Sequence, residues 1–212
     1  MTDMYLPKHF AIPDDDVRDV LENLGAADLV TPTAGGLAST FMPMLYDEQL
    51  GALYGHFALQ NEHWKAEPTG DSLVIVHGSD SYITPMWYPS KSQHGRVVPT
   101  WNHLTINICG ELIVHHDLDW LRANVTRLTE HFEQPFAERW QLSDAPAAFI
   151  DGQLRAIKGM ELLIHSVQAK AKHSQNRPPA DRQGVIDGLR AVGDFDGAGA
   201  VAHYNPANRS EE

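Results

Sequence analysis

Between Ser81 and Asn102, two Trp, two Tyr, three Pro, one Lys and one Arg fall within 22 residues. Tyr82, Trp87, Tyr88 and Trp101 supply flat ring surface. Ser90, Lys91, Arg96 and Thr100 supply N–H and O–H donors. Aromatic surface beside cations and small hydroxyls suits a planar ring that carries a phosphate, because phosphate oxygens are held best by charge-assisted hydrogen bonds. Proline at 85, 89 and 99 removes backbone donors and fixes φ, so this stretch is expected to be broken and irregular. On spacing alone, tryptophans packed in a core with Lys91 in solvent is the favoured reading, since buried aromatics are common.

Two further clusters carry donors. Lys170-Ala171-Lys172-His173-Ser174-Gln175-Asn176-Arg177-Pro178 is either a polar turn or an anion clamp, and composition does not separate the two. Gly55 to Trp64 contains His56 and Asn61, which fit a strand-to-helix corner and a phosphate or ribityl contact about equally. His115-His116-Asp117 and the His56/His63 pair lack the spacing typical of zinc sites, so no metal is expected. Cys109 sits in the apolar run Thr105 to Cys109 and reads as a buried, inert thiol. There is no Walker-type loop, and Gly197-Ala198-Gly199-Ala200 follows no strand and lacks the third glycine of a dinucleotide fingerprint.

The elements that position these residues follow from periodicity. Asp14 to Asp16 lead into Val17, Val20, Leu21 and Leu24, which predicts a helix over 14–24. Strands are expected at 28–33, 37–45, 53–59, 72–77 and 97–109, with Gly110 marking a bulge or turn before 111–115. Leu118, Leu121, Val125, Leu128 and Phe132 share a helical face. A second helix starts at Ser143 or Asp144 and ends near Ile157, and a strand returns over 160–169. Pro178-Pro179 opens a surface helix over 180–192, and residues 196–202 with the tail to Glu212 are expected to be loosely ordered. Short strands with Gly and Pro punctuation argue for a barrel rather than a parallel sheet. The fold class is therefore α+β, mainly β. The expected division is a main domain over 1–176 and a helical extension with a polar tail over 177–212.

With 212 residues, 42% of them hydrophobic, the chain is long enough for a self-sufficient core. A single cysteine forbids an internal disulfide, no run of 18 apolar residues occurs, and Met1 to Phe10 has no apolar signal core. A cytoplasmic protein is expected. Sixteen Lys and Arg against 28 Asp and Glu leave a net charge of −12, which opposes non-specific nucleic-acid binding. Between Asp19 and Ser90 the sole Lys or Arg is Lys65, so Lys91, Arg96, Lys170, Lys172 and Arg177 become the candidates for an anionic ligand.

Several rare-residue blocks occur in one order: Met4-Tyr5-Leu6-Pro7-Lys8-His9-Phe10, Gly55-His56 with Asn61 and Trp64, and Tyr82-Ile83 with Pro85 and Trp87-Tyr88. They continue through Ser90-Lys91, Val98-Pro99-Thr100-Trp101-Asn102, Ser143-Asp144-Ala145-Pro146, Ile157 with Gly159, Lys170 with Lys172, and Ser174-Gln175-Asn176-Arg177. In these blocks the chain resembles the PaiB-type proteins, described as FMN-binding negative transcriptional regulators with a split-barrel fold. The resemblance implies an FMN-binding split β-barrel with flanking helices, paired as a homodimer with FMN between subunits. It reverses the packed-core preference for the aromatic stretch. The cofactor-binding residues it implies are His56, Asn61, Trp87, Ser90, Lys91, Thr100, Trp101, Asn102, Lys172, Ser174, Gln175 and Arg177. The chain departs from the family pattern at Leu59, where an Arg is usual, at Glu62, where a Pro is usual, and at His103, where a Tyr is usual. Losing the Arg removes a rigid bidentate phosphate donor.

Three functions follow as expectations. The first is an FMN-binding protein with a redox or flavin-sensing role, an FMN-dependent oxidoreductase being one form of it and His103 a candidate proton donor. The second is a transcriptional repressor acting directly or through a partner, although no helix-turn-helix is visible. The third is a split barrel that has exchanged flavin for haem or another small ligand.

Overall fold

The computed structural model describes residues 4–205. The chain is α+β and mainly β, as expected. Helix α1 (Asp14–Glu22) precedes β1 (Ala26–Thr33), β2 (Gly36–Pro43), β3 (Leu45–Asp47), β4 (Ala52–Ala58) and β5 (Ser72–Ile83). Then come α2 (Ser90–His94), β6 (Thr100–His115), α3 (Leu118–Glu133), α4 (Ala147–Arg155), β7 (Ile157–Lys172), α5 (Pro179–Ala191) and α6 (Phe195–His203). The strands make a seven-stranded sheet in the order β2-β1-β5-β6-β7-β4-β3. Pairing of β1 with β2, β1 with β5, β3 with β4 and β4 with β7 is antiparallel.

By compactness the chain forms two units. One takes Asp15–Val76 and Asn107–Val167. The other takes the residues up to Asp14, His77–Ile106 and the residues from Gln168 onward. Residues 177–205 thus belong to the same unit as the aromatic stretch.

The first unit is built on alternation. Along β1 the side chains of Ala27, Leu29 and Thr31 are buried while their neighbours are not, the period-2 pattern of a half-buried strand. Four consecutive residues of β4, Ala52 to Gly55, are buried. Helix α3 starts where Asp117 caps it, its carboxylate accepting from the Trp120 N–H at 2.8 Å. Leu121 of α3 packs with Ile150 and Leu154 of α4. Of the bulge or turn expected at Gly110, the turn does not occur, because β6 runs from Thr100 to His115 through it. The glycine is needed for close approach instead: a Cβ there would lie 2.0 Å from the Leu163 carbonyl oxygen of β7.

The second unit corrects two expectations. The helix expected on the surface is a core element, with Val185, Ile186 and Leu189 of α5 buried against Ile83, Tyr88, Ala198 and Val201. Residues 196–202, expected to be loose, form most of α6, whose start is capped by Asp194 accepting from the Gly197 N–H at 2.8 Å. The physical reason is packing: the small residues of α6 that suggested looseness allow close contact with α5. The polar tail beyond 205 lies outside the described residues. Also in this unit, His173 is 1% exposed and stacks on Tyr204 with ring centroids 5.2 Å apart and planes at 10°. Neither ring nitrogen of His173 has a partner among the described residues. Burial first, and then His103 and His203, push its pKa from the ordinary 6.5 down to about 4.

Two outcomes are expected. G110A has no room in the β6–β7 pairing and will destabilise the protein by about 2 kcal/mol, read by urea denaturation. For His173 the folded pKa lies below the unfolded one, so the unfolded chain binds the proton more readily. Its contribution is complete above pH 6.5 and is lost as pH falls toward about 4. The loss is steepest at about 1.4 kcal/mol per pH unit. H173F, compared with wild type between pH 7.5 and 4.5, will flatten that part of the stability profile; parallel profiles would rule this role out.

Candidate functional site

Apart from His56 and Asn61, every residue singled out from the sequence as a cofactor contact lies in the second unit. The backbone explains how they converge there. Strand β5 ends at Ile83. A 3-10 turn over Pro85–Trp87 and the short helix α2 follow, and β6 begins at Thr100. The three prolines break the stretch where expected. Thr84 caps the 3-10 turn, its hydroxyl accepting from the Met86 N–H at 3.2 Å. The end of β7 and the turn after it bring in residues 170–177.

Lys172 is the centre of the arrangement. Its Nζ donates to Thr100 Oγ1 and, at 2.8 Å, to the Trp101 carbonyl oxygen. Having accepted from Lys172, the Thr100 hydroxyl keeps its own hydrogen for another acceptor, and the ammonium keeps a third N–H. Burial, then Lys170 and Arg177, pulls the Lys172 pKa below its ordinary value. Burial, then Lys170 and Lys172, lowers the His103 pKa too, with Asp80 opposing. His103 is therefore a neutral imidazole at pH 7, not the cationic donor that would release a proton most easily. No carboxylate among the described residues lies within ion-pair distance of Lys170, Lys172 or Arg177. Lys170 Nζ sits 5.7 Å from the Tyr5 ring, and the Arg177 guanidinium 4.7 Å from the Tyr88 ring. Positive charge is concentrated here in a chain with a net charge of −12.

Lys91 and Trp87 line a second feature, an open cavity of about 720 Å³ shared with Pro85, Met86, Tyr88 and Val97. Trp101 is 55% exposed and meets Tyr82 edge to face, centroids 6.0 Å apart. Planar surface is thus open to a ligand at Trp101 and Tyr82, while Tyr88 is buried.

The remaining candidates are committed within the protein. Ser90 is 8% exposed, and both its N–H and its hydroxyl donate to the Asp181 carboxylate, at 3.0 and 2.6 Å. Asn102 and Ser174, both buried, exchange hydrogen bonds at 3.1 and 3.2 Å. Ser174 has φ of 64°, a left-handed conformation unusual for serine, which those bonds hold in place. Gln175 bridges the same turn, accepting from the His173 N–H at 2.7 Å and donating to the Ala171 carbonyl oxygen at 2.6 Å.

In the first unit, Asn61 caps a 3-10 turn over Glu62–Lys65, accepting from the His63 N–H at 3.1 Å and donating to Thr40 Oγ1 at 3.0 Å. His63 Nδ1 is 2.8 Å from the same hydroxyl. His56 Nδ1 is buried with no partner among the described residues, and burial lowers its pKa. Thr40 and Asp181 are the residues that sequence reasoning missed. Each acts through a long-range hydrogen bond that no local motif marks.

The donor set of the second unit fits a phosphorylated aromatic cofactor: an ammonium and a hydroxyl side by side, further cations nearby, and exposed ring surface. Comparison with known proteins agrees. The family model described as "Putative FMN-binding domain" matches residues 4–166. Among curated proteins, "Protease synthase and sporulation protein PAI 2" of Bacillus subtilis is 27% identical over 191 residues, spanning 88% of this chain and 89% of its own. An uncharacterized protein of Emericella nidulans is 31% identical over 170 residues, spanning 68% of each. Among solved structures, the FAD and heme binding protein from Mycobacterium smegmatis superposes with a TM-score of 0.57 at 15% identity, covering 78% of this chain and 74% of that one. The flavocytochrome Anf3 from Azotobacter vinelandii gives 0.56 at 14%, covering 75% and 67%. At such identities the structural likeness carries the fold alone, an FMN-binding type of split barrel with flanking helices, as expected. With a family model covering most of its length and a curated relative above 30% identity, the chain belongs to the FMN-binding domain family.

Proposed function

We propose that the second unit holds FMN, with Lys172 and Thr100 binding the phosphate and the exposed faces of Tyr82 and Trp101, together with Trp87, bordering the ring. One observation carries this reading: Lys172 is tied to Thr100 and to the Trp101 carbonyl oxygen with Lys170 and Arg177 near it, and no carboxylate is paired to these cations among the described residues. Like charges held together in a half-buried place destabilise one another, and a bound dianion reverses the sign of that interaction. FMN, when bound, supplies one- or two-electron redox chemistry through its ring. The chain's own contribution is binding and orientation. Lys172 and Thr100 fix the anion, Lys91 adds an exposed cation beside the Trp87 cavity, and neutral His103 offers a hydrogen bond without adding charge.

The family membership and fold support a flavin-dependent redox or flavin-sensing role. Apolar surface at Tyr82, Met86, Val98 and Trp101 is exposed in the second unit, which supports the paired arrangement implied by the resemblance, each ring covered by a second copy. A repressor role, on this reading, works through flavin occupancy and a protein partner and not through direct contact with DNA, because the net charge is −12.

Three measurements test this. K172M is expected to weaken FMN binding by about 10- to 100-fold, the worth of a charge-assisted hydrogen bond, in a fluorescence titration; T100V is expected to weaken it less. Wild-type affinity in K172M would remove the proposed phosphate site. In a gel-shift titration across salt concentrations the protein is expected to show no specific retention of DNA; a retained complex with a steep salt slope would restore direct binding. Light scattering should give twice the chain mass, and a monomer would refute the paired arrangement.

A further inference from the structure

The family model ends at residue 166, yet residues of the candidate site before that point are held by helices that come after it. We infer that the pair α5 and α6 is a platform that sets the 81–92 segment, and that Asp181 is its positioning residue. The inference rests on the reading of the second unit as the FMN site.

Asp181 lies in the first turn of α5 and is 2% exposed. A buried carboxylate is costly unless its oxygens are satisfied, and here both are used on one residue, Ser90. Because one oxygen takes the Ser90 N–H and the other its hydroxyl, both backbone and side chain of Ser90 are oriented. Ser90 is the first residue of α2, so its orientation sets the direction in which neighbouring Lys91 leaves the backbone. One turn further along, α5 cradles Trp87. A Cβ on Gly184 would lie 2.0 Å from the Trp87 carbonyl oxygen, and one on Gly188 would lie 2.3 Å from its ring. Arg177, just before α5, covers the Tyr88 ring. Helix α6 repeats the device: Asp194, its cap, also accepts from the Ser81 hydroxyl at 2.6 Å. Side chains before, on and after α5 therefore fix residues 81, 87, 88 and 90 together. Ser90 acts as a tether, and its hydroxyl is not available to a phosphate.

The test uses the full chain with S90A, D181A, the double variant S90A/D181A, D181N and G188A. Amide hydrogen exchange, without FMN, reads the order of residues 85–92, with peptides from β1–β4 as the internal control. D181A is expected to speed exchange over 85–92 at least tenfold while β1–β4 peptides are unchanged, and to weaken FMN binding about tenfold. S90A, which removes the hydroxyl bond and keeps the N–H bond, should speed exchange in the same window by a smaller factor, and the double variant should be no worse than D181A, because D181A already removes both bonds. D181N, which keeps an acceptor for the Ser90 N–H, should recover part of the protection. G188A crowds Trp87 without touching the buried charge, so it should speed exchange in the same window even if D181A does not fold. Unchanged exchange in both D181A and G188A overturns the platform, as does strict additivity of S90A and D181A. Failure of the wild type to bind FMN would overturn the proposed function, while the exchange readout would still decide the platform.

Discussion

Positive charge packed against positive charge is the constraint around which the second unit is arranged. Lys172 and His103 are both shifted in the direction that opposes protonation, by burial first and by Lys170 next. A protein with an excess of acids could have neutralised this place with one aspartate. Two acids of the same unit are used elsewhere instead, Asp181 on Ser90 and Asp194 on Ser81, and Asp80 only partly opposes the shift at His103. The cations are left without a paired carboxylate among the described residues, and the acids hold the frame. That division follows from the cost of burying an unpaired charge. The aspartates are satisfied by fixed hydroxyl and amide hydrogens, whereas the lysines keep solvent or a visiting anion within reach.

The same division explains which candidates stay open and which are committed within the protein. Asn102, Ser174, Gln175 and Ser90 are polar residues in a ligand-like setting, but their hydrogen-bonding groups are occupied by one another and by backbone. They make the turn after β7 and the start of α2 rigid, including the left-handed Ser174. Lys172, Thr100, Lys91 and Arg177 are presented by that rigid frame. A long flexible ammonium is a poor phosphate ligand when free to move. Tied to Thr100 and the Trp101 carbonyl, Lys172 has already lost most of its side-chain freedom before any ligand arrives.

Much of the fold was legible in the sequence. Helix α1, strands β1, β2 and β4 and helix α3 follow from apolar period and acids at the helix start, and the breaks between 83 and 100 follow from three prolines, whereas β3 was not expected and the strand read over 37–45 ends at Pro43. The elements misjudged were those whose residues are ambiguous without neighbours. Gly110 reads as a bulge or turn, whereas the strand continues through it and the Leu163 carbonyl oxygen lies 2.0 Å from where its Cβ would be. The Gly- and Ala-rich α6 reads as loose until α5 is packed on it.

The candidate site divides in the same way. Residue types, their order and the scarcity of cations in the first half marked the side chains suited to a phosphate-bearing aromatic ligand, because hydrogen-bonding capacity and charge belong to each residue wherever it sits; spacing alone favoured a packed core, and the family resemblance was needed to reverse that. Which of those side chains remain available was decided by the tertiary structure alone. Ser90 and Asp181 are 91 positions apart, and Thr100 and Lys172 are 72 apart, so their pairing depends on how strands and helices are brought together. A polar group becomes a ligand contact or an internal tether according to what lies within 3 Å of it, and that distance is set by packing.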